Sequence, residues 1–248
     1  MTRKPTDRYH MAWHRAVRYV CQRLILRAVV DAEVRVSVEG ERNVEGLTGP
    51  FILVANHSSH LDAATIFSRL PYSLTKDVAQ AVAGDYFYEQ VWRRTLTSFF
   101  FNSYPVDRDG RKSKRAGLSV SLLRSGVPLC IFPEGTRSRD GVMKSFKPGA
   151  AALGRALRVP VVPVAICGAH EAMPVGRNWP QPGRQPVKLL IGKPLRVKAG
   201  ESLADFNDRV EGRVRAMHTT GSTTVLIHDE DRSTRRGRHL DAAAEDAS

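Results

Sequence analysis

Long apolar runs are missing from these 248 residues. No stretch reaches the ~18–20 consecutive apolar residues that span a bilayer, and arginines interrupt the N-terminal segment too often for the core of a signal peptide. Cysteine is scarce. Cys21, Cys130 and Cys167 are widely separated and have no paired spacing, which excludes a disulfide framework and favours a reducing, cytoplasmic setting. Cys130, inside Pro128-Leu129-Cys130-Ile131-Phe132, and Cys167, after Val164-Ala165-Ile166, read as small core residues. There is no Gly-x-Gly-x-x-Gly and no Walker phosphate loop, so dinucleotide and nucleoside triphosphate roles lack support. A Gly-x-Ser-x-Gly elbow is also absent, which weakens a serine hydrolase built on Ser58 or Ser59. Aromatic residues make up only 7% of the chain and do not interleave with its basic clusters. With no recognised nucleic-acid module either, no nucleic-acid partner is expected, and a basic nucleic-acid- or membrane-binding protein without catalysis is the alternative from a different functional class.

Acidic residues are outnumbered, 25 against 38 Lys and Arg, for a formal charge of +13. The last thirty residues hold four arginines and six acids, so the first 218 carry a surplus of +15. A surplus of that size favours an anionic partner such as a phospholipid membrane, nucleic acid or an acidic carrier protein. Trp13, Val17, Val20, Cys21, Leu24 and Ala28 fall at helical spacing on one face, with Arg15, Arg18, Arg23 and Arg27 elsewhere. An arginine-rich helix with a Trp-bearing apolar stripe suits the plane of a membrane interface. The same stripe would also serve to pack the helix on the domain, and the two uses are compatible. The expectation is a peripheral protein on the cytoplasmic face of an anionic phospholipid membrane.

Strand-like apolar runs lie near 34–38, 51–55, 78–83, 104–106, 128–132, 161–166 and 187–191. Helical patterns lie near 9–30, 61–69, 87–98, 113–125, 148–158 and 202–218. Strands alternating with helices predict an α/β fold, a mostly parallel sheet covered by helices, with an N-terminal amphipathic helical element. The expected layout is a loose 1–8, a helical element over 9–32, an α/β domain over 33–218 and a disordered tail over 219–248, in which only Val225-Leu226-Ile227 could pack.

Two runs carry chemistry. The first is Asn56-His57-Ser58-Ser59-His60-Leu61-Asp62. A histidine beside a carboxylate is suited to taking a proton from a hydroxyl. On one regular helix, positions five apart point roughly 140° away from each other, so His57 belongs in the turn after the strand 51–55. Asp62 then falls in the first turn of the following helix. Ser59 and Asp62 have the spacing of a capping box, which predicts a helix start at Ser59. Amides at that start are one possible source of oxyanion donors. His57, His60 and Asp62 could ligate zinc, but no second ligand cluster accompanies them and no metal is expected. The second run is Phe132-Pro133-Glu134-Gly135-Thr136-Arg137-Ser138, an arginine in a Gly-bearing turn of the kind that holds phosphate. Both runs follow strands, and sites in open α/β sheets gather at the carboxyl ends of strands.

The first run resembles the His-x4-Asp motif of the glycerolipid acyltransferases that acylate lysophosphatidic acid and related glycerophospholipids. The second run looks like the third block of that family. Tyr104-Pro105-Val106-Asp107-Arg108 is similar to its second block, with Asn102 where the family often has glycine, and Val161-Val162-Pro163-Val164 is similar to its fourth. The resemblance spans about residues 51–166. It implies transfer of a fatty acyl group from an acyl-CoA or acyl-carrier-protein thioester, the co-substrate, to the free hydroxyl of 1-acylglycerol 3-phosphate, with no cofactor. A related lysophospholipid or glycerol 3-phosphate is the alternative acceptor. His57 would be the general base and Asp62 its orienting partner. Arg108 and Arg137 would hold the acceptor phosphate, with Glu134, Gly135 and Thr136 shaping the pocket and Glu134 bonding acceptor hydroxyls or orienting Arg137.

Overall fold

A computed structural model describes residue 9 and residues 11–83, 99–106 and 116–223. The helix expected over 87–98, Arg108 and the first eight residues lie outside the described residues. Seven strands form one sheet: β1 (Arg35–Glu39), β2 (Ile52–Ala55), β3 (Ala79–Ala83), β4 (Tyr104–Val106), β5 (Leu129–Ile131), β6 (Val161–Cys167) and β7 (Pro186–Ile191). Each lies within two residues of an apolar run read from the sequence. The order is β1-β7-β6-β2-β5-β3-β4. Every neighbouring pair is parallel except β6 with β7, so the sheet is mostly parallel, as the alternating pattern implies.

β2 is central and buried along its whole length. A strand covered on both faces needs apolar residues at every position, which is why Phe51 to Ala55 shows no polar alternation. Leu53 and Ala55 join the core on one face with Val30, Ile66 and Phe67. Ile52 and Val54 join the core on the other face with Leu122, Leu123, Phe206 and Val210. The covering helices are α1 (residues 12–33), α2 (Leu61–Arg69) and the short α3 (Tyr72–Thr75), then α4 (Ala116–Arg124), α5 (Gly149–Leu157), the short α6 (Ala169–Ala172) and α7 (residues 203–223).

α1 is one continuous helix in three parts, α-helical over Ala12–Tyr19 and Arg27–Glu33 and π-helical over Val20–Leu26 between them. Its orientation corrects the packing use of the apolar stripe. Trp13 and Leu24 are 53% and 58% exposed, and Val20, Ile25 and Val29 are also exposed. The inward face is polar from Arg15 to Arg23, and only near the helix end does Val30 join the core. Buried Arg18 donates to the Lys76 carbonyl at 3.2 Å and Gln22 to the Phe100 carbonyl at 2.7 Å. Arg23 donates to the Ser68 carbonyl at 2.8 Å, and Arg15 pairs with Asp77 at 2.6 Å. The Ser68 and Phe100 carbonyls lie in the last turns of helices and that of Lys76 in a turn, where no helix or strand bond reaches them, so arginine and glutamine satisfy them, and the apolar stripe is turned outward as a consequence.

α7 also corrects the expected tail boundary. It runs to residue 223, five residues past the expected end at 218. Thr219, Thr220 and Thr223 bond back to the carbonyls of Arg215, Ala216 and Thr219. Gly221 lies so close to Cys167 and Leu190 that a Cβ there would sit 2.6–2.7 Å from their side chains. The polar threonine run is therefore compatible with helix, because its hydroxyls find partners on the helix itself. Residues 224–248 lie outside the described residues.

Candidate active site

The site forms where β2 and β5 end. These strands are parallel neighbours with Val54 opposite Ile131, so residues three positions beyond each, His57 and Glu134, emerge at one level. Asn56 extends the hold to the other side. Its side-chain amide donates to the Ile166 carbonyl at 2.9 Å and its oxygen accepts from the Ile166 amide at 2.8 Å, so it pairs with β6 as a further strand residue would. The sequence reading gave Asn56 no role. Its signal was present as a polar residue directly after a fully apolar strand.

The His57 and Asp62 side chains meet, with Nδ1 2.8 Å from Oδ2. That same Oδ2 accepts the backbone amides of Ser58 at 2.6 Å and Ser59 at 2.8 Å. Asp62 is fully buried, and its other oxygen has no hydrogen-bond partner among the described residues. An ionised carboxylate only accepts hydrogen bonds, so Nδ1 carries the proton and Nε2 has its lone pair free. The imidazole side chain is 22% exposed and its ring stacks on Phe132, with centroids 4.2 Å apart and planes 20° apart. His57 is thus fixed at Nδ1 and along one ring face.

The expected helix start changes here. α2 begins at Leu61 with His60 as its cap, two residues later than Ser59. The Ser59 hydroxyl donates to the Met173 carbonyl at 2.7 Å, which ties the turn to the segment after α6 and leaves that serine, fully buried, unsuited to act as a nucleophile. The Ser58 and Ser59 amides both bond Asp62, so they are not oxyanion donors.

Glu134 departs from the expected contact with acceptor hydroxyls or Arg137. It is 4% exposed and bridges two backbone amides, His57 to Oε1 at 2.7 Å and Lys144 to Oε2 at 2.9 Å. Burial pushes its carboxyl above the ordinary value, while the Lys144 and His57 amide bonds pull the other way. The Ser138 amide donates to the His57 carbonyl at 2.8 Å, so the turn that carries His57 is held to the second motif at both its amide and its carbonyl. Glu134 is a positioning residue. Glu134→Gln keeps one acceptor but turns an NH2 toward the other amide. The expected result is a kcat lower by about 10- to 100-fold, with the acceptor KM within about twofold of wild type. Steady-state kinetics checks this, and a change confined to acceptor KM would return Glu134 to the acceptor pocket.

Gly135 takes φ +75°, a conformation that L side chains rarely adopt. A Cβ there would lie 3.1 Å from the Lys147 ammonium, so the glycine lets that side chain cross the loop. Thr136 is exposed and Arg137 half-buried. The Nη1 of Arg137 is buried and has no hydrogen-bond partner among the described residues. Partial desolvation, then the Arg137 charge and then His57, push His60 below the ordinary histidine value, with Asp62 opposing. The charge of Arg137 therefore reaches His60, as does that of His57.

The site thus brings His57 and Asp62 into contact and leaves one buried nitrogen of Arg137 without a hydrogen-bond partner among the described residues. The family described as Acyltransferase matches residues 35–167, more than half of the chain. This chain belongs to the acyltransferase family. The matched stretch contains β1 to β6 and both motifs, and leaves α1 and α7 outside it.

The curated relatives are named 1-acyl-sn-glycerol-3-phosphate acyltransferases. A 1-acyl-sn-glycerol-3-phosphate acyltransferase of Chlamydomonas reinhardtii is 30% identical over 204 residues, which cover 79% of this chain and 58% of that protein. The enzyme of that name from Bacillus subtilis is 25% identical over 201 residues, 77% of this chain and 92% of the relative. Among solved structures, the crystal structure of the 1-acyl-sn-glycerophosphate (LPA) acyltransferase PlsC from Thermotoga maritima matches with a TM-score of 0.64 and 26% identity, over 84% of this chain and 83% of that one. The chain spans about half the length of the first curated relatives, 58% of the Chlamydomonas protein and 44% of one from Arabidopsis thaliana.

Proposed function

We propose that this acyltransferase moves a fatty acyl group from a thioester, on coenzyme A or acyl carrier protein, to the free hydroxyl of 1-acylglycerol 3-phosphate, forming phosphatidic acid. The observation that carries this reading is the His57–Asp62 pair, held at 2.8 Å through Nδ1, with Nε2 left for an acceptor hydroxyl. Nε2 takes the hydroxyl proton as the oxygen attacks the thioester carbonyl, and Asp62 steadies the imidazolium that forms. The tetrahedral intermediate then collapses, the C–S bond breaks, and the imidazolium returns its proton to the departing sulfur. The acceptor is itself the nucleophile, so no acyl-enzyme forms.

Arg137 binds the acceptor phosphate through its unpartnered Nη1. Arg108 shares that task in the family resemblance and lies outside the described residues. Arg137→Ala is expected to raise the acceptor KM by about 10- to 100-fold, the loss of a charged hydrogen bond, with the thioester KM within about twofold. Equal rises in both would make Arg137 structural. The class is tested by thiol release from palmitoyl-coenzyme A. Release that depends on 1-acylglycerol 3-phosphate supports the transferase, whereas acceptor-independent release points to a thioesterase. Release with glycerol 3-phosphate alone would change the acceptor.

The acyltransferase works on the cytoplasmic face of an anionic membrane, where its lipid acceptor resides. The support is the exposed apolar face of α1 together with the charge of +13. No helix among the described residues is long and apolar enough to cross a membrane. Leu24→Asp is expected to weaken vesicle binding by at least about tenfold, since full burial of a leucine contributes about 1.5–3 kcal/mol. Vesicle flotation reads this, and unchanged binding would sink the contact assigned to α1.

A further inference from the structure

A second basic site lies at the far end of α2 from His57. A cavity of about 530 Å³ is lined there by Tyr19, Arg23, Leu24, Arg27, Arg69 and Tyr72, among others. α2 holds Asp62 in its first turn and Arg69 at its last position, so the helix itself separates this cavity from the catalytic pair.

The three arginines differ in how firmly they are held. Arg23 is the fixed wall. Its guanidinium donates to the Ser68 carbonyl at 2.8 Å, to the Leu70 carbonyl and to the Thr75 hydroxyl at 3.1 Å, and lies over the Tyr72 ring. It thereby caps the carbonyl end of α2, whose dipole would otherwise repel an anion. Arg69 pairs with Asp31. Arg27 reaches the same carboxylate only loosely, at 3.8 Å, and its side chain is half exposed. One carboxylate is therefore shared by two guanidinium groups. Glu41 is the acid on the lining and Asp31 pairs with two of its arginines from outside it, so the three arginines keep a positive excess over Asp31 and Glu41. Crowding has a visible effect: burial first, then the charge of Arg27, push Arg23 and Arg69 below the usual arginine value. The Nε atoms of Arg23 and Arg69 are buried with no hydrogen-bond partner among the described residues.

The surroundings select the source of the anion. Leu24 lines the cavity and is 58% exposed, while Tyr19, also on the lining, and Val20 are exposed beside it. A basic pocket that opens beside outward-facing apolar side chains fits a molecule with a charged head and apolar tails. We infer that this cavity binds the phosphate of an anionic phospholipid and so seats α1 on the membrane by its headgroups as well as its acyl chains. The inference rests on the membrane reading above. Arg27 is the adjustable ligand, able to leave its long contact with Asp31 for the phosphate, between the fixed Arg23 and the paired Arg69.

The test compares Arg27→Glu with Arg155→Glu. Both change the net charge equally, but Arg155 is exposed on α5, which covers the opposite face of the sheet. Binding is measured to vesicles of phosphatidylcholine alone and with phosphatidylglycerol added. Phosphatidylglycerol should strengthen wild-type binding. Arg27→Glu should remove that gain, lowering affinity for the mixed vesicles by about tenfold or more, and Arg155→Glu should retain it within about twofold. Arg27→Gln, which keeps the side-chain length, should lose the same gain to a smaller degree. Equal losses in Arg27→Glu and Arg155→Glu would overturn the site in favour of a diffuse charge effect.

A soluble arm separates this inference from the membrane reading. Short-chain phosphatidylglycerol below its micelle concentration, and inorganic phosphate, are titrated calorimetrically against Arg137→Ala protein, in which the catalytic phosphate contact is removed. Binding of the short-chain lipid that Arg27→Glu abolishes supports the cavity even if vesicles do not bind. Vesicle binding with no gain from phosphatidylglycerol and no Arg27-dependent titration overturns the cavity and leaves the membrane reading intact. Equal affinity for inorganic phosphate would overturn the lipid assignment and make the cavity a free-phosphate site.

Discussion

His57→Ala is expected to lower kcat by about 10³-fold, within the 10²–10⁴-fold range of a positioned general base, while the acceptor KM stays within about threefold. The structure makes this a clean test. The backbone of His57 makes the bonds that join the two motifs, its amide to Glu134 and its carbonyl to the Ser138 amide, and alanine keeps both. Asp62 retains the Ser58 and Ser59 amides. The turn therefore survives the loss of the ring, and what disappears is the nitrogen facing the acceptor. Single-turnover rates on folded protein decide the matter, and wild-type-like turnover would sink the general-base role.

Asp62→Asn is the second large effect, with kcat expected to fall by at least about 10²-fold while the protein still folds. All three donors converge on Oδ2, so an asparagine oxygen can occupy that place and keep the arrangement. Its NH2 then replaces the Asp62 oxygen that has no partner. An unsatisfied buried donor there costs about 1–3 kcal/mol, read as a lower melting temperature. The charge is what cannot be replaced, and without it the imidazolium is not stabilised. Asp62→Ala adds the loss of an acceptor for two buried amides and is expected to be the less stable variant. If Asp62→Asn kept wild-type kcat, Asp62 would be only the acceptor that holds the turn and the start of α2. Measuring kcat and thermal stability on both variants separates that structural role from catalysis.

Much of the site was legible because it is local. His57 and Asp62 are five residues apart, and a strand followed by a turn and a helix is enough to bring them together. The apolar runs marked the strands for a similar reason, since central strands covered on both faces leave no polar alternation to misread. Glu134 was misassigned because a carboxylate in a phosphate-binding motif suggests a ligand for hydroxyls. Its partners, the amides of His57 and Lys144, are backbone groups that any residue type would present. The amides of Ser58 and Ser59, one source considered for oxyanion donors, are likewise already taken by Asp62.

The sequence by itself determined the order of strands and helices, the pairing of His57 with Asp62, and the basic, apolar-striped character of α1. The tertiary structure alone decided which way α1 faces, that Glu134 grips the turn of the base, and that Arg23, Arg27 and Arg69 line one cavity. Periodicity reports that a helix has two faces, but not which one is turned inward. Here that choice follows from unpaired carbonyls at Ser68, Lys76 and Phe100, 45 to 78 residues away along the chain, that take the polar side chains of α1 as their donors.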